Sequence, residues 1–167
     1  GYPVARVNFQ PATAEVPPGY TADSGEVFGS RNGGLAYGWT ADNSGATRER
    51  NSSHAYDQRY DTLIHMQEAE NPNAVWELSL PNGTYEVYLV AGDPEFFDGN
   101  FQIAVEGKLA VNGAPSERNR FVEGIVTVTV ADGRLTVTNA AGAVNNKLAF
   151  VEVYNPAGVP VPSVTPN

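Results

Sequence analysis

The sequence predicts an all-β chain folded as an antiparallel β-sandwich of jelly-roll type, and three observations carry the prediction. Short runs rich in Val, Thr, Tyr and Phe alternate apolar and polar residues, as in Trp76-Glu77-Leu78-Ser79-Leu80, with the period of two that a half-buried strand requires. Turn formers separate these runs: the 167 residues include 17 Gly and 12 Pro. No long stretch has the 3.6-residue spacing of an amphipathic helix.

Arg6-Val7-Asn8-Phe9 reads as a first strand with Val7 and Phe9 on one face, and Pro11, Pro17 and Pro18 end it. From Gly19 to Tyr60 the chain is dense in Gly, Asn, Asp, Ser and Arg and is expected to be irregular surface loop held by scattered aromatics. Asp61 to Gln67 alternates weakly and is read as a strand; Trp76 to Leu80 alternates cleanly, with Trp76, Leu78 and Leu80 inward. After a Pro81-Asn82-Gly83 turn, Thr84 to Val90 points Tyr85, Val87 and Leu89 inward, and Phe101 to Glu106 points Phe101, Ile103 and Val105 inward. Lys108 to Val111 is a short return strand. Ile125 to Val130 and Arg134 to Thr138 flank Ala131-Asp132-Gly133, where Asp-Gly signals a hairpin. Leu148 to Tyr154 closes the sheet. One domain is expected over 1–155, with a Pro/Ser/Thr linker over 156–167.

A net charge of -9 argues against nucleic-acid and anionic-membrane partners, which need clustered Lys and Arg. No run approaches the ~20 apolar residues of a membrane span. With no cysteine, neither disulfides nor thiolate metal sites can form.

Between two of the strands lies Ala91-Gly92-Asp93-Pro94-Glu95-Phe96-Phe97-Asp98-Gly99-Asn100, too long and too aromatic for a tight turn. If successive strands cross the sandwich from end to end, loops separated by an even number of strands share an end. Strands 101–106 and 108–112 then bring Asn112 to Gly124 back beside the Phe96-Phe97 loop, and strands 125–130 and 134–138 bring back Asn139 to Lys147. The loop before Asp61 cannot be placed in this way. Phe96, Phe97, Asp98, Arg118, Asn119, Arg120, Asn145 and Asn146 would gather at that end. Aromatic faces for sugar C–H bonds beside planar polar groups for hydroxyls are the chemistry of a carbohydrate site. Side chains of consecutive extended residues point opposite ways, so one phenylalanine is expected to plug the core and the other to be a platform.

Tyr37 and Trp39 are two apart and could share a face; for Trp39 the competing reading is a core or loop pin. Asp57, Arg59 and Asp61 read as ion pairs that order the long loop, while Arg48 or Arg50 could hold a uronate carboxylate bidentately. Asp93, Glu95 and Asp98 offer oxygens to a structural calcium, without EF-hand spacing. His54 and His65 form no zinc-binding pattern, and there is neither a Gly-x-Ser-x-Gly elbow nor a phosphate loop.

In order along the chain, Arg6-Val7-Asn8, Ala36-Tyr37-Gly38, Asp61-Thr62-Leu63-Ile64-His65-Met66-Gln67, Tyr85-Glu86-Val87-Tyr88-Leu89, the Phe96-Phe97 loop, Phe101-Gln102-Ile103-Ala104-Val105-Glu106-Gly107 and Leu148-Ala149-Phe150-Val151-Glu152-Val153 resemble the malectin and malectin-like family of carbohydrate-binding β-sandwiches, which includes modules of polysaccharide-degrading enzymes. The resemblance implies sugar contacts by Tyr37, Phe96 and Phe97. Two departures stand out: the family's acidic residue before the last strand is absent, with Asn145 and Asn146 in that loop, and phenylalanine replaces an expected tyrosine in the aromatic pair.

The resulting expectation is a monomeric, secreted, non-catalytic module of bacterial type. It would bind polysaccharide or oligosaccharide through Tyr37, Trp39, Arg48, Phe96, Phe97, Asp98, Asn145 and Asn146, without a cofactor, and target a catalytic domain in the same polypeptide to plant or algal polysaccharide. The alternative is an extracellular structural or adhesion domain that binds protein, followed by a glycan-active enzyme.

Overall fold

The computed structural model describes residues 1–156. The expected linker, apart from Pro156, lies outside the described residues.

Among the described residues, thirteen strands form two sheets: β1 (Tyr2–Phe9), β2 (Thr21–Asp23), β3 (Gly29–Ser30), β4 (Ala36–Trp39), β5 (Thr47–Glu49), β6 (Thr62–His65), β7 (Trp76–Ser79), β8 (Gly83–Gly92), β9 (Phe101–Val105), β10 (Lys108–Gly113), β11 (Phe121–Val130), β12 (Arg134–Asn139) and β13 (Lys147–Asn155). One sheet runs β11-β8-β13-β1-β2, with β6 also on β13 and β5 on β6; the other runs β10-β9-β12-β7-β4-β3. Pairing is antiparallel except for β1 with β2. The predicted sandwich is the observed fold.

The inward sets match the alternation. Tyr85, Val87 and Leu89 of β8, Phe101, Ile103 and Val105 of β9, and Trp76 and Leu78 of β7 are all buried. At the centre Phe9 meets Trp39 and Trp76 edge-on, with centroids 5.9 and 5.5 Å apart, the arrangement favoured by aromatic quadrupoles. Both indoles also need acceptors, and the buried Asp23 supplies them: Trp39 Nε1 donates to Oδ1 at 2.8 Å and Trp76 Nε1 to Oδ2 at 2.9 Å. Burial pushes the Asp23 carboxyl up, against the pull of the N–H donors from Trp39, Gly25 and Trp76. A smaller cluster, Val90, Ala149 and Phe150 with Tyr20, Tyr60, Tyr88 and Phe121, covers the other face of the first sheet.

The far end of the sandwich has tight turns. β9 and β10 are joined by Glu106-Gly107, with φ of 51° and 74°, the two positive values that mark a type I′ hairpin. Asp132-Gly133 turns β11 into β12, with Gly133 at φ 76°. Tyr2 pairs with Asn155 at this end too.

The expectation of irregular loop from Gly19 to Tyr60 is corrected by the structure. That region contains β2 to β5, two 3-10 turns (Asn32–Gly34 and Ser44–Ala46) and a short α-helix, α1 (Gln58–Asp61), whose N-cap Asp57 accepts from the Arg59 N–H at 2.9 Å. Its strands are two to four residues long, too short to show a period. Asp61 correspondingly ends α1 instead of opening a strand. β11 begins at Phe121 and not at Ile125: Phe121 to Gly124 pair with Gly92 to Leu89 of β8, although Glu123 and Gly124 hide the alternation there.

Candidate functional site at the loop end

The strand count places three loops together, and the structure joins them there. Asn100 and Val144 exchange both backbone hydrogen bonds at 2.9 Å, tying loop 93–100 to loop 140–146. Arg120 Nη1 donates to Pro94 O at 2.5 Å, bringing in the segment before β11. Loop 50–57, which strand parity could not place, belongs to the same end: Arg50 meets Asp93, and Ser52 Oγ and His54 Nδ1 meet Glu95 Oε2, the histidine at 3.4 Å.

Beneath the loops sits a charged centre. Asp93 is fully buried and grips Arg50 bidentately, with Oδ1 to Nε 3.1 Å and Oδ2 to Nη2 2.7 Å. Lys147, 2% exposed, reaches Asp93 Oδ2 at 3.4 Å, Phe96 O at 3.4 Å and Asp98 Oδ1 at 3.5 Å. Asp93 Oδ1 further accepts the N–H of Glu95 at 2.9 Å and of Phe96 at 3.3 Å. Burial opposes ionisation of Asp93, but Arg50, the Glu95 N–H and Lys147 outweigh it and hold the carboxyl below its ordinary 3.8. Two cations against one buried anion favour the charged form.

On this base stand Phe96 and Phe97, 55% and 39% exposed. The expectation of one plug and one platform is corrected: neither ring closes the core. Residues 93–99 form bends and irregular backbone, not a strand, so alternation does not apply. The Arg50 guanidinium lies over the Phe96 ring at 4.7 Å and that of Arg120 over Phe97 at 4.9 Å. Cation–π contact fixes the rings without burying them. Beside them are exposed polar groups that can pair with hydroxyls: Glu95 and Asp98, which flank the rings in the chain, and His54 against Glu95; Arg118 and Asn119 are exposed on the segment before β11. Glu95 is held below its ordinary value by hydrogen bonds from Ser52 and then His54. For Asp98, burial is the largest single influence and raises the carboxyl, but Lys147, its own backbone N–H and Asn145 together outweigh it and lower it as well. An open hollow of about 380 Å³, lined by Asn51, Ser52, Asp57 and Asp61, adjoins Ser52.

The other expected residues fall in different places. Asn145 is at this end, donating from Nδ2 to Asp98 Oδ2 at 3.2 Å. Asn146 is buried and spends its amide on Gln102 O and Asn139 Oδ1, both at 2.8 Å, and on the Gln102 N–H at 3.0 Å; it pins the loop. Tyr37 and Trp39 are core residues of β4, 1% and 0% exposed, and neither offers a ring face to a ligand. Tyr37 donates its hydroxyl to Ala22 O at 2.7 Å. Arg48 pairs with Glu68 at 3.2 Å. The loop-ordering contacts are Arg59 with Asp57 at 2.7 Å, and Asp61 accepting the N–H groups of Asn51 and Ser52 at 2.9 and 2.7 Å. As for calcium, the oxygens of Asp93 already face Arg50 and Lys147, so that carboxylate serves cations of the chain itself. No group of three or more His, Asp or Glu among the described residues is placed to hold a metal.

Sequence reasoning missed Lys147, Ser52 and His54. One signal was available for Lys147: it directly precedes the apolar run Leu148-Ala149-Phe150-Val151, a position from which a long amine can reach back under a loop.

No family model matches the chain, and no curated protein does either. Solved structures do. Protein YXIM of Bacillus subtilis superposes with a TM-score of 0.58 at 17% identity, over 90% of this chain and 39% of that one. A structure of the plant peptide RALF23 in complex with FER and LLG2 matches at 0.57 and 11%, over 96% and 41%. A Bacteroides uniformis β-glucuronidase matches at 0.56 and 12%, over 90% and 18%. The chain therefore spans about two fifths or less of these relatives, and what it shares with them is the β-sandwich fold.

Proposed function

We propose that the chain is a non-catalytic carbohydrate-binding domain that holds polysaccharide or oligosaccharide at the loop end and serves, outside the cell, to keep a catalytic domain of the same polypeptide near plant or algal polysaccharide. The observation that carries this reading is the pair of exposed rings, Phe96 and Phe97, each fixed by a guanidinium, on a loop that also exposes Glu95 and Asp98. Two features support the modular part. The same fold makes up 18% of a β-glucuronidase chain, and Tyr2 and Asn155 meet at the opposite end, so chain attached there stays clear of the rings. Burying an aromatic gains about 1.5–3 kcal/mol and association costs at least about 4, so two platforms and a few hydrogen bonds of about 1 kcal/mol each imply weak, roughly millimolar binding. Affinity electrophoresis on a panel of neutral glucans, galactans and uronates tests the reading: Phe96→Ala and Phe97→Ala should each weaken retardation, and unchanged retardation in both removes the site. Release of reducing ends or unsaturated products from the same polysaccharides would refute the non-catalytic part.

The second reading, a protein-binding adhesion domain, is favoured by Tyr56, 73% exposed and stacked edge-on against Tyr60, since exposed tyrosines also anchor protein interfaces. Silence on a glycan array together with a stable pull-down partner would choose it.

A further inference from the structure

The two long edges of the sandwich are unlike. Along one, β10 and β11 close on each other so tightly that a Cβ on Gly124 would lie 1.9 Å from Ala110 O. Along the other, β2 ends one sheet and β3 the other, and between them opens a cleft of about 500 Å³. That size falls within the ~300–1,000 Å³ of small-molecule sites. None of the residues of the Phe96-Phe97 loop lines it.

Its walls carry Tyr20, Ser24, Glu26, Ser30, Arg31 and Asn32, and the buried Tyr37 lies beneath the Arg31 guanidinium. Arg31 is already set in position: Nη2 donates to Val27 O at 2.6 Å, Nη1 to Ser30 O at 3.0 Å, and the guanidinium lies over the Tyr37 ring at 5.7 Å. These bonds use two of its five N–H donors. Its Nε has no hydrogen-bond partner among the described residues, and Glu26 Oε1 stands off at 3.8 Å. Glu26 is itself 61% exposed on its side chain, so a pair this loose can admit a third party. An apolar ligand would strip water from the guanidinium and the carboxylate without replacing it. A strong anion would face Glu26. A ligand that both donates and accepts at several points, and has an apolar face for Tyr20, satisfies the whole lining.

We infer that this edge cleft is a second binding site, for a polyhydroxylated ligand of one or two sugar rings, independent of the loop end.

Proton–nitrogen correlation NMR titrations with cellobiose, laminaribiose, xylobiose and galactobiose separate the two sites. With at least one of these, the amides of 21–24 and 29–32 should shift. Ala12→Trp, at the exposed rim of the cleft, should weaken those shifts at least ~tenfold, which corresponds to ~1.4 kcal/mol. Glu26→Gln should weaken them as well. In both variants the resonances of 93–100 should stay as in the parent, which certifies the fold. No shift of the cleft amides with any of the four sugars, or unchanged affinity in Ala12→Trp, overturns the inference. The Phe96→Ala/Phe97→Ala double variant should abolish shifts at the loop end alone. Cleft shifts without loop shifts in the parent would sink the loop-end reading and leave the cleft standing.

Discussion

Asp93→Ala tests whether the loop end rests on its buried charges. The substitution strands Arg50, 20% exposed on its side chain, leaves Lys147, 2% exposed, with only its long contacts to Phe96 O and Asp98 Oδ1, and removes the acceptor of the Glu95 and Phe96 N–H groups. Breaking a buried pair by deleting one partner costs about 3–5 kcal/mol. The partial exposure of Arg50 puts the expected loss at the lower end, about 3 kcal/mol. At about 2–4 °C per kcal/mol for a domain of this size, the melting temperature should fall by about 6–12 °C. Lys147→Met is the control. It removes only long contacts of 3.4–3.5 Å and leaves the bidentate Arg50–Asp93 grip in place, so it should cost less than about 2 kcal/mol. Urea denaturation of both variants measures the two losses. An Asp93→Ala loss under about 1 kcal/mol, or a larger loss for Lys147→Met, would refute the assignment of Asp93 as the hub.

Other outcomes follow from the same geometry. Because the Asp93 carboxyl is held below its ordinary 3.8, its stabilising contribution is complete above that value and disappears as pH falls through the lower folded-state value; urea midpoints of the parent should therefore drop in strong acid, and Asp93→Asn should start lower at neutral pH and drop less. Equal slopes would contradict this. Phe96→Ala and Phe97→Ala should each weaken polysaccharide retardation ~fivefold to tenfold, from an aromatic contact of about 1–1.5 kcal/mol, with unfolding midpoints unchanged because both rings are exposed. Gly124→Ala should destabilise by at least about 1–3 kcal/mol through the collision with Ala110 O; a calorimetric melting temperature equal to the parent's would show that β10 can yield.

Much of the fold was legible because it is written locally. Tyr85, Val87 and Leu89 face inward because strands have a period of two, and the Glu106-Gly107 and Asp132-Gly133 turns form where Glu106, Gly107 and Gly133 take positive φ. Those tight turns in turn made the strand count possible, and the count put loops 93–100 and 140–146 at one end. What was not legible is written at long range. Arg50 and Asp93 are 43 residues apart, and no spacing rule connects them. Tyr37 and Trp39 looked like loop aromatics because the glycine between them, Gly38 at φ 149°, conceals the alternation of β4; a side chain there would strike Phe28 Cα at 2.6 Å. Asn146 and Asn145 are alike in sequence, yet one is an internal strut and the other borders Asp98, a difference that only burial reveals.

The reciprocal bonds between Asn100 and Val144 have a dynamic consequence. Each residue donates its N–H to the other's carbonyl, so neither amide can meet solvent unless the same bridge opens, and Asn146, bonded to Gln102 on one side and Asn139 on the other, opposes that opening. Loops 93–100 and 140–146 therefore constitute one cooperative unit of local unfolding. The amides of Asn100 and Val144 should exchange hydrogen with a common opening free energy, and a ligand that protects one should protect the other by the same factor.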